Sequence, residues 1–288
     1  MYLVRFLAVW YNTLTFSVRW GQTISDTFTI CNGLPQGSLL SLILFNAYVS
    51  ELSVMLSRSG VGCSVNSTVI NHLMYADDIC LICPSAKALQ KLIYMCEVAG
   101  ADIDMLFNEK KTMCMFFPCS RFRLHNPPPQ VKLYDSMLEY VPSASYLGYL
   151  FTPDLSDNLA IQGNVRGLYS RANSLIRKFR FCSAEVKRIL FESYCSIMYC
   201  EHIWSDYSVG VISKLRVAFN SALKLLLGVS RQTSTSWLFA NNRTDSFDAR
   251  LRKLSHTFVS RLLCSENTII KTLVHSESFY YSTFWSHY

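Results

Sequence analysis

Alternating apolar and polar stretches divide the first half of the chain into short elements. Residues 1–16 are largely apolar and predict a helix, and residues 39–58 are long and apolar enough to predict a buried helix. Between them, residues 15–32 alternate in polarity and break at Gly21, as the two strands of a hairpin do. Residues 68–84 predict two more short strands, one on each side of a pair of acids.

Helix and strand patterns continue to alternate as far as about residue 151. Ser85 is a favourable N-cap, and the apolar residues after it recur at helical spacing. Residues 107–117 predict a strand. Beyond three consecutive prolines at 127–129, further short strands are predicted at 131–135, 138–141 and 146–151.

The remainder of the chain has a mostly helical pattern. Helices are predicted at 163–181, 183–204, 212–229 and 248–263, the second with Ser183 as its N-cap and the third ending at Gly228. We therefore predict an α+β fold in two domains. Residues 1–150 form an antiparallel sheet with packed helices, and residues 151–288 form a helical region.

Charge is distributed unevenly between these two predicted domains. Of the 288 residues, 50% are apolar and 16% are charged, which excludes a disordered chain. Residues 1–150 hold ten Lys and Arg and ten Asp and Glu, whereas residues 151–288 hold 17 and ten and so account for the net charge of +7. A basic region of this kind indicates either contact with a polyanion or an ordinary solvated surface. Five of its cations follow one aromatic-rich segment: Arg166, Arg171, Arg177, Lys178 and Arg180.

Cysteine usage and apolar run length indicate the compartment. The eleven cysteines are scattered, which is typical of reduced thiols in a cell interior and not of a disulfide framework. No apolar run approaches the roughly 18 uncharged residues that a membrane span needs. The apolar start carries Arg5 and lacks a small-residue cleavage site, so a secretory signal is not expected. We expect an intracellular protein, nuclear or cytoplasmic, that is not secreted and has no membrane partner.

Two adjacent carboxylates stand in the middle of the apolar segment HLMYADDICLIC. Burying an ionised carboxylate is costly unless something compensates its charge. Asp77 and Asp78 either form a simple turn, which Asp favours, or hold a divalent cation. Mg²⁺ prefers oxygen ligands and is commonly bound by one or two carboxylates together with substrate phosphates.

A second candidate motif, GLPQG, directly precedes the predicted helix at 39–58. Gly33 and Gly37 would let the backbone approach a ligand closely, and the start of the following helix favours phosphate. Gln36, next to Pro35, has an amide able to hydrogen-bond a base, a sugar or a neighbouring strand. A loop without a ligand has the same composition, so this motif alone leaves both interpretations open.

Together these segments resemble the palm of a reverse transcriptase of the non-LTR (LINE-like) retrotransposons. The first motif matches at Gly33, Pro35, Gln36, Gly37, Ser41, Phe45 and Asn46, and the second matches at Tyr75, Ala76, Asp77 and Asp78. Phe107-Asn108 and Lys111-Thr112 resemble a later motif of the family, and Tyr146-Leu147-Gly148 resembles the turn of its primer grip. Four motifs in the family's order are far more specific than any one of them.

The resemblance implies a fold, an activity and a set of site residues. Residues 1–150 would be part of a polymerase palm, and residues 151–288 would be a helical thumb and connection. Asp77 and Asp78 would bind two Mg²⁺ ions, with Lys111 near the incoming deoxynucleotide. Gly33, Pro35, Gln36, Gly37 and Tyr75 would shape the nucleotide and template site. The RNA template and DNA primer would contact the basic segment from Arg166 to Arg180.

The sequence departs from the family in one respect that concerns catalysis. The family has a further catalytic aspartate upstream of the GLPQG turn, whereas the only acid before Gly33 is Asp26, which we predict to be a turn residue. We therefore expect an N-terminally truncated reverse transcriptase that is inactive alone unless another chain or a longer form supplies the third carboxylate. The alternatives are a non-catalytic nucleic-acid-binding remnant and a pseudogene product without function.

Overall fold

The computed structural model describes residues 2–30, 33–35, 37–118 and 129–286. Gln36 and the prolines at 127 and 128 lie outside these residues. The chain divides into two compact units, residues 1–54 and residues 55–288. The predicted domain boundary near residue 151 stays a prediction.

The first unit consists of one helix, nested hairpins and most of a second helix. The outer strands pair Thr15 with Thr29 and the inner strands pair Trp20 with Thr23, on either side of Gly21 at φ +63°. The predicted helix, hairpin and second helix are all confirmed. Their bounds are α1 Tyr2–Thr13, β1 Thr15–Phe16, β2 Arg19–Trp20, β3 Thr23–Ile24, β4 Phe28–Thr29 and α2 Leu39–Arg58.

Helix α2 is less buried than its composition predicts. One stripe, Val49, Leu52 and Leu56, is buried, but Leu39 and Ile43 are exposed. Among the described helices, α2 alone is long and apolar enough, by length and composition, to cross a membrane. Its sequence did not predict a membrane span because Glu51 interrupts the uncharged residues of the helix. A core helix of a soluble protein has the same length and composition, so this property alone assigns no membrane.

The second unit begins with four short hairpins and one helix, α3. Each hairpin is a separate two-stranded antiparallel ladder: β5 with β6, β7 with β8, β9 with β10 and β11 with β12. The predicted α+β fold is therefore confirmed, with its strands paired two by two within the described residues. The bounds are β5 Cys63–Val65, β6 Thr68–Ile70, β7 His72–Tyr75, β8 Asp78–Leu81, α3 Ala86–Asp102, β9 Lys132–Leu133, β10 Ser136–Met137, β11 Ala144–Tyr146 and β12 Tyr149–Phe151.

A small apolar core joins α3 to these strands. The helix begins as predicted, because the Ser85 hydroxyl accepts a hydrogen bond from the Ala88 N–H at 3.2 Å. Ile93 of α3 is buried against Cys114, Val131, Leu133 and Leu138, and Leu81 of β8 and Phe107 pack on the same cluster. Strand β8, which begins at the second of the two acids, is thereby fixed to the body of the unit.

The predicted strand at 107–117 is wrong. In its place the chain forms a turn, because the Asn108 side-chain oxygen accepts from the N–H groups of Lys110 and Lys111 at 3.0 and 3.2 Å. A short polar side chain that binds nearby backbone competes in this way with strand pairing. Only Cys114 makes a ladder contact, an isolated bridge to Tyr140.

The rest of the second unit is helical and holds the larger core. Leu168 of α4, Phe191, and Leu215 and Phe219 of α6 are almost completely buried in it. Helix α6 ends at Gly228 as predicted, with that residue in the left-handed conformation. The bounds are α4 Asn158–Lys178, α5 Ala184–Leu190, α6 Val209–Leu227, α7 Thr235–Asn241, α8 Phe247–Leu263, α9 Thr268–Val274, α10 Glu277–Tyr280 and α11 Thr283–Ser286.

The predicted helix at 183–204 is correct only in its first part. The Ser183 hydroxyl caps α5 as expected, but the helix widens into a π-helix at Phe191–Cys195 and then ends. Cys200 adopts a left-handed φ of +59°, and a 3₁₀ turn follows at Glu201–Ile203. The buried Glu201 carboxylate forms an ion pair with Arg250 of α8 at 2.7 Å. Because Arg250 is far away in sequence, this contact holds the chain after Cys195 on a path that a continuous helix would not follow.

Candidate active site

The two adjacent acids lie at the tip of the β7–β8 hairpin. Tyr75 pairs with Asp78, so that Ala76 and Asp77 form a two-residue loop. Ala76 has a φ of +51°, a left-handed conformation that residues other than Gly, Asn and Asp rarely adopt. The prediction of a hairpin around the acids is therefore confirmed, and its tip holds backbone strain of the kind that often occurs at functional sites.

Both carboxylates are open to solvent. Asp77 and Asp78 are exposed, as is 60% of Tyr75, and in the described part of the chain neither acid forms a salt bridge. The described residues contain no group of three His, Cys, Asp or Glu side chains able to hold a metal. The donor set suits Mg²⁺ in kind, since oxygen ligands and retained water are what this ion prefers, but it comprises two carboxylates.

The β11–β12 hairpin lies beside the acids. The Tyr146 hydroxyl donates to the Leu73 carbonyl oxygen at 3.4 Å. Burial raises the pKa of Tyr146, and the nearby Cys80 and Asp78 raise it further. Leu147 and Gly148 form the turn at φ +48° and +79°, which is the pattern of a type I′ hairpin turn. The segment that resembles the primer grip is therefore a neighbour of the acid hairpin.

The GLPQG turn belongs to the first unit and is described within it. Gly33 and Gly37 have φ values of +95° and +86°, which only glycine adopts readily, and the space where each Cβ would stand is open. The Ser41 hydroxyl donates to the Pro35 carbonyl oxygen at 2.6 Å and fixes the turn to the first turn of α2. Gln36 lies outside the described residues, so its predicted contact with a base or sugar has no geometry here.

Lys111 lies on the turn that replaces the predicted strand. Its side chain is exposed and makes no salt bridge among the described residues, while its N–H donates to the side chain and the carbonyl oxygen of Asn108. Phe107, just before the turn, packs on the same small core as Leu81 of the acid hairpin. A free cation is thereby fixed on the body that carries Asp77 and Asp78.

One family model covers the glycine turn, the acid hairpin, Lys111 and the β11–β12 turn. The family model for reverse transcriptase (RNA-dependent DNA polymerase) matches residues 4–151, just over half of the chain. The chain belongs to the reverse transcriptase family. A search of curated proteins found no match to it. The matched residues of this reverse transcriptase include the GLPQG turn, the acid hairpin, Lys111 and the β11–β12 turn.

The predicted nucleic-acid contacts lie on and just after α4 of the reverse transcriptase, beyond the matched residues. Arg166, Arg177, Lys178 and Arg180 are exposed, and the Arg180 guanidinium lies 5.7 Å from the centre of the Phe181 ring. Arg171 differs from these four because its Nε and one Nη are buried and have no hydrogen-bond partner among the described residues. It lies near Cys195, whose thiol pKa is raised to about 11 by burial although the charge of Arg171 lowers it.

Sequence reasoning missed two side chains that fix this neighbourhood. The Asp157 carboxylate accepts hydrogen bonds from the Ser205 and Asp206 N–H groups at 2.7 and 2.9 Å and from the Tyr149 hydroxyl of β12. The Tyr199 hydroxyl donates to the Leu147 carbonyl oxygen at 2.5 Å. Nothing in the local pattern distinguishes either residue, because the backbone groups that they bind lie 48 to 52 residues away in sequence.

Proposed function

We propose that this chain is part of a non-LTR retrotransposon reverse transcriptase in which Asp77 and Asp78 hold Mg²⁺ for nucleotidyl transfer. The observation that carries the proposal is the pair of exposed carboxylates at the tip of a hairpin, within the residues matched to the family. The order of the four motifs along the chain favours the non-LTR type. The substrates would be an RNA template, a DNA primer and deoxynucleotides.

Each candidate residue has a role that follows from its chemistry. Mg²⁺, when bound, neutralises the charge that develops on the transferred phosphate and lowers the pKa of the attacking hydroxyl. Asp77 and Asp78 supply oxygen ligands, and their exposure leaves room for phosphate oxygens and water. Lys111 brings a positive charge toward the nucleotide. Gly33 and Gly37 leave the backbone of their turn open to a close approach by substrate.

A two-ion centre needs more carboxylate oxygens than this hairpin provides. Two ions about 3.5–4 Å apart must be bridged from more than one direction, whereas Asp77 and Asp78 come from the tip of a single hairpin. Since the described residues group no third metal-ligating side chain, we propose that the chain alone does not polymerise DNA. The third carboxylate would come from another chain or from a longer form of this one.

A second candidate function is nucleic-acid binding without catalysis, which the charge distribution favours. Residues 151–288 hold 17 basic against ten acidic residues. Arg177, Lys178 and Arg180 are exposed at and just beyond the end of α4, where they would neutralise backbone phosphates without reading sequence. Cations at a helix C-terminus also favour the helix dipole, so they benefit the fold even where nothing is bound.

Metal binding and primer extension test the proposal separately. Mn²⁺, followed by electron paramagnetic resonance, serves as the probe for the Mg²⁺ site. We expect Asp77→Asn and Asp78→Asn each to weaken Mn²⁺ binding by roughly tenfold or more. Asp26→Asn, which removes an exposed acid from the first unit, is the matched control and should have no effect. Equal binding by all four proteins would contradict the assignment of the metal to Asp77 and Asp78.

Primer extension with Mg²⁺, an RNA template, a DNA primer and deoxynucleotides tests the incomplete centre. We expect no extended product from the pure chain. A product that disappears in Asp78→Asn would show that two carboxylates suffice and would contradict the need for a third. Binding of the template–primer at low salt without extension, together with no Mn²⁺ site, would favour the second candidate function instead.

A further inference from the structure

We infer that Tyr199 is a positioning residue that holds the β11–β12 turn against the hairpin of Asp77 and Asp78. Tyr199 lies in the helical region, beyond residues 4–151 that match the family. The inference rests on the proposed function for its consequence at the metal site. The contact itself can be measured without metal or substrate.

Tyr199 meets the turn with both its hydroxyl and its ring. The hydroxyl donates to the Leu147 carbonyl oxygen at 2.5 Å. The ring lies against Gly148, where a built Cβ would be in van der Waals contact with it, 3.4 Å from the Tyr199 Cε1 atom. Gly148 itself, at φ +79°, provides the left-handed conformation of the turn. One side chain thus holds both central residues of the turn.

The backbone on either side of Tyr199 is fixed by buried contacts. Met198 is buried in the large helical core, and Glu201 is buried and paired with Arg250 at 2.7 Å. Between them Cys200 adopts a left-handed φ of +59°, a strained conformation for a residue other than glycine. The conformation persists because its neighbours over-determine it, so Tyr199 projects from a rigid support although 56% of it is exposed.

The held turn contacts the acid hairpin directly. Tyr146, the residue before the turn, donates its hydroxyl to the Leu73 carbonyl oxygen of β7 and lies near Asp78. Tyr75, which pairs with Asp78 across the hairpin, is an electrostatic neighbour of Tyr199. Cys200, burial and Tyr75 raise the pKa of Tyr199 above its usual value. A continuous set of contacts therefore runs from the helical core to strand β7 of the acid hairpin.

A separate contact holds strand β12 of the same hairpin. Tyr149, the first residue after the turn and the partner of Tyr146, donates its hydroxyl to the buried Asp157 carboxylate, which also accepts two backbone N–H groups. This network holds β12 without Tyr199, whereas Tyr199 contacts the two central residues of the turn. Loss of the Tyr199 contact should therefore free the turn without unfolding the hairpin, and this difference makes the role of Tyr199 measurable.

Amide hydrogen exchange on the metal-free chain tests the inference. Tyr199→Phe removes the hydroxyl and keeps the ring on Gly148, whereas Tyr199→Ala removes both. We expect exchange in residues 146–149 and 72–81 to become roughly 2- to 10-fold faster in Tyr199→Phe, the effect of one lost hydrogen bond. Exchange in the same residues should be faster still in Tyr199→Ala, while the exchange of the α6 amides should not change in either variant. Tyr194→Phe is the matched control, because Tyr194 is exposed to the same extent, 57%, and lies on the adjacent π-helix.

Three exchange results would overturn the inference. Unchanged exchange at 146–149 in Tyr199→Phe and Tyr199→Ala would show that the side chain does not hold the turn. Equal acceleration in the turn and in α6 would show a general loss of stability and no positioning role. Faster exchange at 146–149 without any change at 72–81 would confine the effect to the turn and would remove the link to the acids.

Mn²⁺ binding provides the functional readout and separates this inference from the proposed function. If Tyr199 positions the acids, Tyr199→Ala weakens Mn²⁺ binding several-fold and Tyr199→Phe recovers most of it through the retained ring. Normal Mn²⁺ affinity in Tyr199→Ala would overturn the positioning role even where exchange is faster. Absence of Mn²⁺ binding by the unmodified chain would instead contradict the proposed function, and hydrogen exchange at 72–81 would still decide the inference.

Discussion

The helical core and the acid hairpin of this reverse transcriptase are built in opposite ways. Phe219 of α6 is 1% exposed. The centre of its ring lies 5.0 Å from the ring centre of Phe191, and the corresponding distances to Phe247 and Phe239 are 5.7 and 6.1 Å. At the hairpin tip, by contrast, Asp77 and Asp78 are exposed and free of salt bridges among the described residues, and the loop residue Ala76 is strained.

The contrast separates stability from chemistry within one unit. Core side chains gain free energy by leaving water, so that their loss should unfold the chain. The acids gain little from the fold, and no cation pairs with either of them among the described residues. Substitutions in the two places should therefore affect different observables, and the following predictions would break or sharpen that division.

The largest effect is expected from Phe219→Ala. The substitution removes a fully buried ring that contacts three others, so the free energy of unfolding should fall by about 3–5 kcal/mol. Urea denaturation followed by circular dichroism measures the change. Phe181→Ala is the matched control, because Phe181 is 95% exposed and should lose less than about 1 kcal/mol. Similar losses in the two variants would show that this cluster does not dominate stability.

The same division explains how much of the fold the sequence predicts. Helices α3, α5 and α6 begin or end where expected, because Ser85, Ser183 and Gly228 act on backbone only a few residues away. The predicted helix at 183–204 fails for a different reason. The helix ends after Cys195, and beyond that point Glu201 pairs with Arg250, 49 residues away, an ion pair that no local pattern contains.

The candidate site divides in a similar way. The acid hairpin and the glycine turn were found from the sequence because their function requires adjacent residues in a fixed order. Tyr199 and Asp157 were not found, since each acts on a partner 48 to 52 residues distant. At 107–117 the apolar pattern is genuine, but the Asn108 side chain binds the backbone and produces a turn.

Ala76→Gly is expected to raise the free energy of unfolding, by less than Phe219→Ala lowers it. Glycine adopts φ +51° without a steric penalty, although it loses more chain entropy on folding. The net result should be a gain of about 1 kcal/mol in the free energy of unfolding, measured in urea. Ala47→Gly, in the exposed interior of α2, is the control and should lose about 1 kcal/mol. A loss at Ala76 as large as that at Ala47 would argue against strain at the hairpin tip.

The smallest change in stability is expected where the functional effect should be largest. Asp77→Asn and Asp78→Asn each remove a charge that has no ionic partner among the described residues, so the free energy of unfolding should change by less than about 0.5 kcal/mol. Thermal and urea denaturation without metal measure this change.

Asp157→Asn makes the same chemical substitution at a buried carboxylate and is the matched control. Its two oxygens accept from Tyr149, Ser205 and Asp206, and an amide in their place would present a donor to one of these donors. That variant should lose about 1–3 kcal/mol. If Asp77→Asn or Asp78→Asn lost as much, the hairpin acids would have a structural partner, and their proposed role as open metal ligands would be wrong.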